Sequence, residues 1–182
     1  MHEATGFVVV TLALAFVSRN SLRKPGVHGF YRFFAWECML GLFLMNLPVW
    51  HEAPGSPRQL IAGTLFFCSL LMVLSGLVLL KWWGKPDSQR DDVPMLDFEK
   101  TTTLVTNGIY RYIRHPMYGS LLLLCWGFFT KQPSWPGIVL AVLASALLIA
   151  TSRVEEKENL NYFGDAYREY MKRTKMFLPF IL

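Results

Sequence analysis

The chain is poor in charge: 17% of its 182 residues are Asp, Glu, Lys or Arg, where soluble domains carry about a quarter. Together with 53% apolar residues, this excludes a disordered chain and a water-soluble globule. It is also poor in cysteine. Cys38, Cys68 and Cys125 each lie inside an apolar block, with no CxxC pair and no neighbouring His, so neither a disulfide framework nor a zinc site is indicated. No Gly-rich strand-to-helix fingerprint is present, which removes the usual dinucleotide-binding sheet. No basic run is interleaved with stacking aromatics, so the net charge of +5 is no nucleic-acid footprint. Internal repeats and low-complexity tracts are missing too.

What is present is a series of apolar blocks. A helix needs about 20 mostly apolar residues to cross the hydrocarbon core, and five stretches approach that length: 3–18, 30–50, 60–83, 112–130 and 135–152. In the first, Ala13-Leu14-Ala15 imitates a signal-peptide cleavage site. Its start carries His2 and Glu3 rather than a basic region, however, and Arg19, Arg23 and Lys24 follow it, so it is expected to be a membrane helix. Of the 18 Lys and Arg residues, all but Arg58 and Lys131 follow the first, third or fifth stretch. That asymmetry predicts an outside N-terminus and a cytoplasmic C-terminus. The fold class expected is all-α, a multi-pass membrane protein of about five transmembrane helices, in a bacterial or archaeal cell membrane rather than the endoplasmic reticulum.

The connections are unequal. Lys131-Gln132-Pro133-Ser134, with Pro136 just inside the next helix, makes the fourth and fifth stretches an antiparallel hairpin. The polar segment 84–108 and the tail 153–182 fall on the cytoplasmic side, and long connections in compact proteins are usually functional. Small residues at Ala141, Ser145, Ala146 and Ala150 are expected to allow close helix packing.

Three polar clusters lie on that face. In the first, 108–118, Asn107-Gly108 marks a turn and Pro116 suits the first turn of a helix. Arg114 and His115 therefore sit at a helix N-terminus, whose free N–H groups favour an anion such as a carboxylate. The same residues would also serve as an interfacial belt touching lipid phosphates. The second cluster, Arg153, Glu155 and Glu156, leaves the bilayer beside the first because of the hairpin. It forms either a structural ion pair or a site offering N–H groups, basic side chains, carboxylates and rings together. In the third, 163–173, Gly164 can end one helix and Asp165 can cap another, with Tyr167 and Tyr170 on one face. By itself this reads as an interfacial amphipathic helix. Phe177 to Leu182 supplies an apolar end able to fold back.

In order, Leu104-Val105-Thr106-x-Gly108-Ile109-Tyr110, Arg114-His115-Pro116-x-Tyr118, Glu155-Glu156, Phe163-Gly164-x-x-Tyr167-x-x-Tyr170, then Arg173 and Leu178-Pro179-Phe180-Ile181, the clusters resemble the isoprenylcysteine carboxyl methyltransferases and their relatives, the phospholipid methyltransferases. The resemblance covers about the last 80 residues; the first three stretches share only architecture. It implies three transmembrane helices in 1–83 and a methyltransferase core in 84–182. Its cofactor would be S-adenosyl-L-methionine, bound without a Rossmann sheet by Tyr110, Arg114, His115, Tyr118, Glu155 and Glu156. The acceptor implied is a lipophilic or lipidated substrate at the cytoplasmic face, with membrane lipids as surroundings and no nucleic acid.

Arg173 is the residue expected to grip an acceptor carboxylate through its planar fork; for an amine acceptor Glu156 could act as base. The chain departs from the family at Asn159, where members often carry Leu, and at Gly84-Lys85-Pro86-Asp87-Ser88, where many carry a Trp- or Phe-containing stretch. Two other readings stand beside this one: a membrane sterol-type reductase using a nicotinamide dinucleotide phosphate, and a non-enzymatic membrane adaptor. The physiological acceptor and the oligomeric state are not legible.

Overall fold

The computed structural model describes residues 2–88 and 90–177. Its elements are α1 (His2–Val17), α2 (Arg19–Leu22), α3 (His28–Asn46), α4 (Pro57–Trp83), α5 (Pro116–Lys131), α6 (Trp135–Phe163) and α7 (Asp165–Arg173), with single 3-10 turns at Asp97–Glu99 and Gly108–Arg111. All five apolar stretches become helices, with shifted ends that have local causes. Helix α3 stops at Asn46: Leu47 keeps helical angles, but Pro48 has no N–H to carry the ladder further. Helix α5 begins at Pro116 rather than at 112, since the 3-10 turn occupies the preceding residues and Pro sits in the first helical turn. Helix α6 starts with Ser134 accepting a hydrogen bond from the Gly137 N–H. It runs well past 152, because nothing breaks it before Gly164.

Among the described residues two helices, α4 and α6, are long and apolar enough to cross a membrane by length and composition, fewer than the five expected; the apolar part of α1, Thr5–Val17, is shorter. Large apolar side chains point outward on several helices. They include Leu12 and Phe16 on α1, Leu60, Phe67 and Leu71 on α4, and Val139 and Val142 on α6. Exposing apolar area to water costs about 25 cal/mol per Å², so contiguous faces of this kind belong in an apolar medium.

Inside, α3 packs along α6 and α4 along α5. One core cluster joins Met39 and Leu42 of α3, Cys125 of α5 and Ala141 and Ala144 of α6; a second joins Ala35, Tyr118, Leu148 and Phe177. Ala141 packs closely as expected, but Ala146 is exposed and Ala144 faces inward instead. Cys125 is buried, Cys38 half-buried and Cys68 exposed. Phe177 does fold back, only 2% exposed, whereas 178–182, including the Leu178-Pro179-Phe180-Ile181 motif, lie outside the described residues.

Candidate functional site

The polar end of the bundle is assembled around Gly108. Its φ is +57°, a left-handed conformation that favours glycine, and a Cβ there would lie 2.6 Å from Cδ1 of Leu79 and push that side chain aside. The turn it starts directs Tyr110 inward, leaving it 6% exposed. The chain then pairs briefly with the tail. The Arg114 N–H donates to the Lys175 carbonyl at 2.8 Å, the His115 N–H to the Met176 carbonyl at 3.1 Å, and the Lys175 N–H to the Tyr112 carbonyl at 3.0 Å. The free N–H groups expected beside His115 are therefore not its own or that of Arg114. Pro116 has none, and Gly119 donates to the His115 carbonyl. That leaves the first-turn groups of Met117 and Tyr118.

The hairpin brings the first two clusters into contact, as its geometry predicts. Arg114 Nε donates to Glu156 Oε1 at 2.6 Å, and Arg114 Nη1 donates to the Thr174 carbonyl at 2.5 Å. His115 Nε2 lies 3.3 Å from the same Glu156 oxygen, and its ring stacks on Tyr118 at 5.7 Å between centroids. Glu155 has looser company: its Oε1 is 3.9 Å from His115 Nδ1 and its side chain is 27% exposed.

Helix α7 closes the site from the outside. Gly164, at φ +60°, occupies the N-cap position, so Asp165 begins the helix rather than capping it. Tyr167 and Tyr170 do share a face, but that face is buried in protein, at 3% and 2% exposure. The Tyr170 hydroxyl donates to the Tyr110 carbonyl at 2.7 Å, fastening α7 over the turn.

These elements enclose a cavity whose apolar wall includes Leu80, Leu104, Val105, Pro116 and Met117. Of the seven residues expected in the site, Tyr110, Arg114, His115, Tyr118 and Glu155 line it. Glu156 lies behind them, spent on Arg114 and His115. Arg173 ends α7 exposed to solvent and is not part of the wall. The Tyr118 hydroxyl is buried beside the Glu155 carboxylate but makes no well-formed hydrogen bond. Such a group costs roughly 1–3 kcal/mol unless something satisfies it, so it marks where a ligand's polar atom would be welcome.

Sequence reasoning missed Glu99, Asn159 and the wall tyrosines Tyr167 and Tyr170, all of which face the cavity. Glu99 stands in a polar loop, where an acidic residue reads as solvated. In the fold it pairs with Arg32 and lies 3.5 Å from His28, both on the first turns of α3; His28 also donates its backbone N–H to Glu158 at 3.0 Å. Burial alone would raise the Glu99 carboxyl, but the Arg32 charge and the His28 hydrogen bond outweigh it and hold it down at about 2. Burial pushes the Tyr110, Tyr167 and Tyr170 hydroxyls up, and nearby Glu155 adds to the effect at the first two. They stay protonated donors at neutral pH. The signal available in advance was His28 and Arg32 one turn apart at the head of an apolar helix, since buried charges need partners.

A family model for phospholipid methyltransferases matches residues 58–166, a span holding every wall residue named above except Tyr167 and Tyr170. The chain is 32% identical over 121 residues to a protein-S-isoprenylcysteine O-methyltransferase of Homo sapiens, covering 62% of this chain and 40% of that one. It is 32% identical over 71 residues to a methanethiol S-methyltransferase of Pseudomonas deceptionensis, covering 39% and 26%. With a methanethiol S-methyltransferase of Pseudomonas sp. (strain GM41(2012)) it shares 26% over 139 residues, covering 72% and 50%. The chain thus spans half or less of the length of these relatives. No solved structure gives a significant match.

Proposed function

The chain belongs to the phospholipid methyltransferase family, and from that premise we propose that it transfers a methyl group from S-adenosyl-L-methionine to a lipophilic acceptor at the cytoplasmic face of a membrane. The observation that carries the proposal is the convergence of Tyr110, Arg114, His115, Tyr118 and Glu155, from three separate segments, on one cavity. The cavity's unspent groups fit the donor. Glu155, the cavity carboxylate with the least committed charge, suits the donor's ammonium; the N–H groups of Met117 and Tyr118 suit its carboxylate. Tyr110 and Tyr118 offer aromatic faces to a sulfonium cation. Bound S-adenosyl-L-methionine supplies an electrophilic methyl carbon. The protein's part is to orient that carbon and to keep water from the nucleophile, which needs no covalent intermediate.

The same accounting bears on the acceptor. Glu156 is tied to two cations and Glu99 to Arg32 and His28, so the base role expected for Glu156 does not suit its surroundings. With Glu155 on the ammonium, the wall offers no carboxylate to deprotonate an amine or thiol. An acceptor already ionised at neutral pH, a carboxylate of the isoprenylcysteine kind, fits best. Arg114 is committed to Glu156, whereas Arg173 is exposed on α7 one turn beyond the wall residue Tyr170, so Arg173 is assigned the acceptor's carboxylate. In this reading residues 84–182 carry the chemistry and 1–83 supply three of five membrane-crossing helices, with His28 and Arg32 bracing the connector from that half.

Transfer of a labelled methyl group to carboxylate, amine and thiol acceptors, each with long and short apolar chains, tests this. Long-chain carboxylates should be methylated best, and Arg173→Lys should lower turnover on them at nearly constant donor affinity, because the charge stays but the fork is lost. Equal turnover of all acceptors by wild type and variant would remove Arg173 from the site.

A further inference from the structure

Helix α6 presents three successive turns to the cavity: Glu155, Asn159 and Phe163. Residues four apart share a helix face and rise about 6 Å each, so the wall reads as a carboxylate, an amide and an aromatic ring over roughly 12 Å. Asn159 is the one neutral polar side chain on this strip. Its orientation is set from behind. Arg90 is buried at 4% exposure and does not line the cavity; its Nη2 donates to Asn159 Oδ1 at 3.2 Å. The guanidinium is itself fixed: Nη1 donates to the Thr101 carbonyl at 2.6 Å, Nε pairs with Asp92 at 3.1 Å, and the plane lies 3.9 Å from the Tyr162 ring. With its oxygen turned to Arg90, the Asn159 amide has two N–H donors; one serves the Tyr167 hydroxyl, which leaves the other to offer the cavity. The neighbouring wall is aromatic, Phe163 stacking on Tyr167 with centroids 6.5 Å apart and planes at 20°.

An amide donor beside stacked rings is a surface for a flat heterocycle with acceptor nitrogens. We infer that Asn159, oriented by Arg90, is a binding residue for the purine base of the methyl donor, its NH2 donating to a ring nitrogen while Phe163 covers the ring. Arg90 is a positioning residue that touches no ligand. The order along α6 agrees with this: the amino-acid end of the donor is assigned to Glu155 and the base to Asn159 and Phe163, one and two turns further on. The inference rests on the donor proposed above and adds to it the recognition of the base.

The test is calorimetric titration of the detergent-solubilised chain with S-adenosylhomocysteine and its 1-deaza, 3-deaza and 7-deaza analogues, each of which replaces one ring nitrogen by carbon. At least one analogue should bind wild type about five- to tenfold more weakly than the parent, the loss of one neutral hydrogen bond. In Asn159→Leu that ratio should collapse to about one. Asn159→Asp keeps a partner for Arg90 but removes the NH2, and should do the same, so a purely structural loss in the Leu variant is separated from loss of the donor group. Arg90→Lys should shrink the ratio in part. A ratio that survives in either Asn159 variant, or all analogues binding wild type alike, overturns the inference. Failure of wild type to bind S-adenosylhomocysteine at all would instead remove the donor reading beneath it.

Discussion

Glu155 and Glu156 are adjacent in sequence, yet their surroundings predict opposite consequences of truncation. The Glu156 side chain is 10% exposed, as is that of Arg114, and both Arg114 Nε and His115 Nε2 converge on its Oε1. Glu156→Ala leaves a buried guanidinium without its carboxylate, and breaking a buried pair by removing one partner costs about 3–5 kcal/mol. For a chain of this size each kcal/mol corresponds to roughly 2–4 °C in Tm, so a fall of about 6–20 °C is expected. Glu155 is more exposed and its closest charged contact is at 3.9 Å; pairs of that kind contribute about 0–1 kcal/mol. Glu155→Ala should therefore melt within a few degrees of wild type while losing about tenfold or more in S-adenosylhomocysteine affinity, the loss of a charge-assisted bond. Scanning fluorimetry in detergent reads the first quantity and calorimetry the second. Equal melting temperatures for the two variants would refute the assignment of Glu156 to structure, and unchanged affinity in Glu155→Ala would refute that of Glu155 to the ligand.

Other outcomes follow from the same geometry. Tyr118→Phe deletes a buried hydroxyl that faces Glu155 but makes no well-formed hydrogen bond, so stability should hold or rise slightly; a weaker S-adenosylhomocysteine titration would show that the ligand supplies the missing bond, and an unchanged one would free Tyr118 of that role. Glu99, held at about 2 by Arg32 and His28 despite burial, sits below its ordinary value of about 4.3. Its contribution, on the order of 3 kcal/mol, should be complete above about pH 5 and vanish as pH falls toward 2. The gap in thermal stability between wild type and Glu99→Gln should close over that window, and a gap independent of pH would contradict the pairing. Reporter fusions after Leu182 and within 51–58 should be active on the cytoplasmic and outer sides respectively; a periplasm-active reporter at Leu182 would place the cavity on the wrong face.

Sequence was most informative where local chemistry decides. The apolar blocks marked five helices, Pro116 and Ser134 marked two of their starts, and the tight 131–134 turn placed Glu156 against Arg114 and His115. It was less informative where tertiary contact decides. Which of two neighbouring carboxylates faces the cavity depends on helix phase relative to α5. Glu99 and Arg90 looked like solvated loop charges, because their partners on α3 and α6 lie 67 and 69 residues away. The inward face of α7 read as interfacial because two tyrosines on an amphipathic helix fit a bilayer surface as well as a cavity wall. Arg173 is the reverse case: the motif put it in the site, and the end of α7 leaves it exposed and outside the wall.

The central claim is that the cavity between α5, α6 and α7 holds a methyl donor. It is tested most directly by titrating the detergent-solubilised protein with S-adenosylhomocysteine and, in parallel, with the reduced nicotinamide dinucleotide phosphate. The account predicts saturable binding of the first, weakened in Glu155→Ala, and none of the second. Binding of the nicotinamide cofactor alone, or of neither, would contradict it.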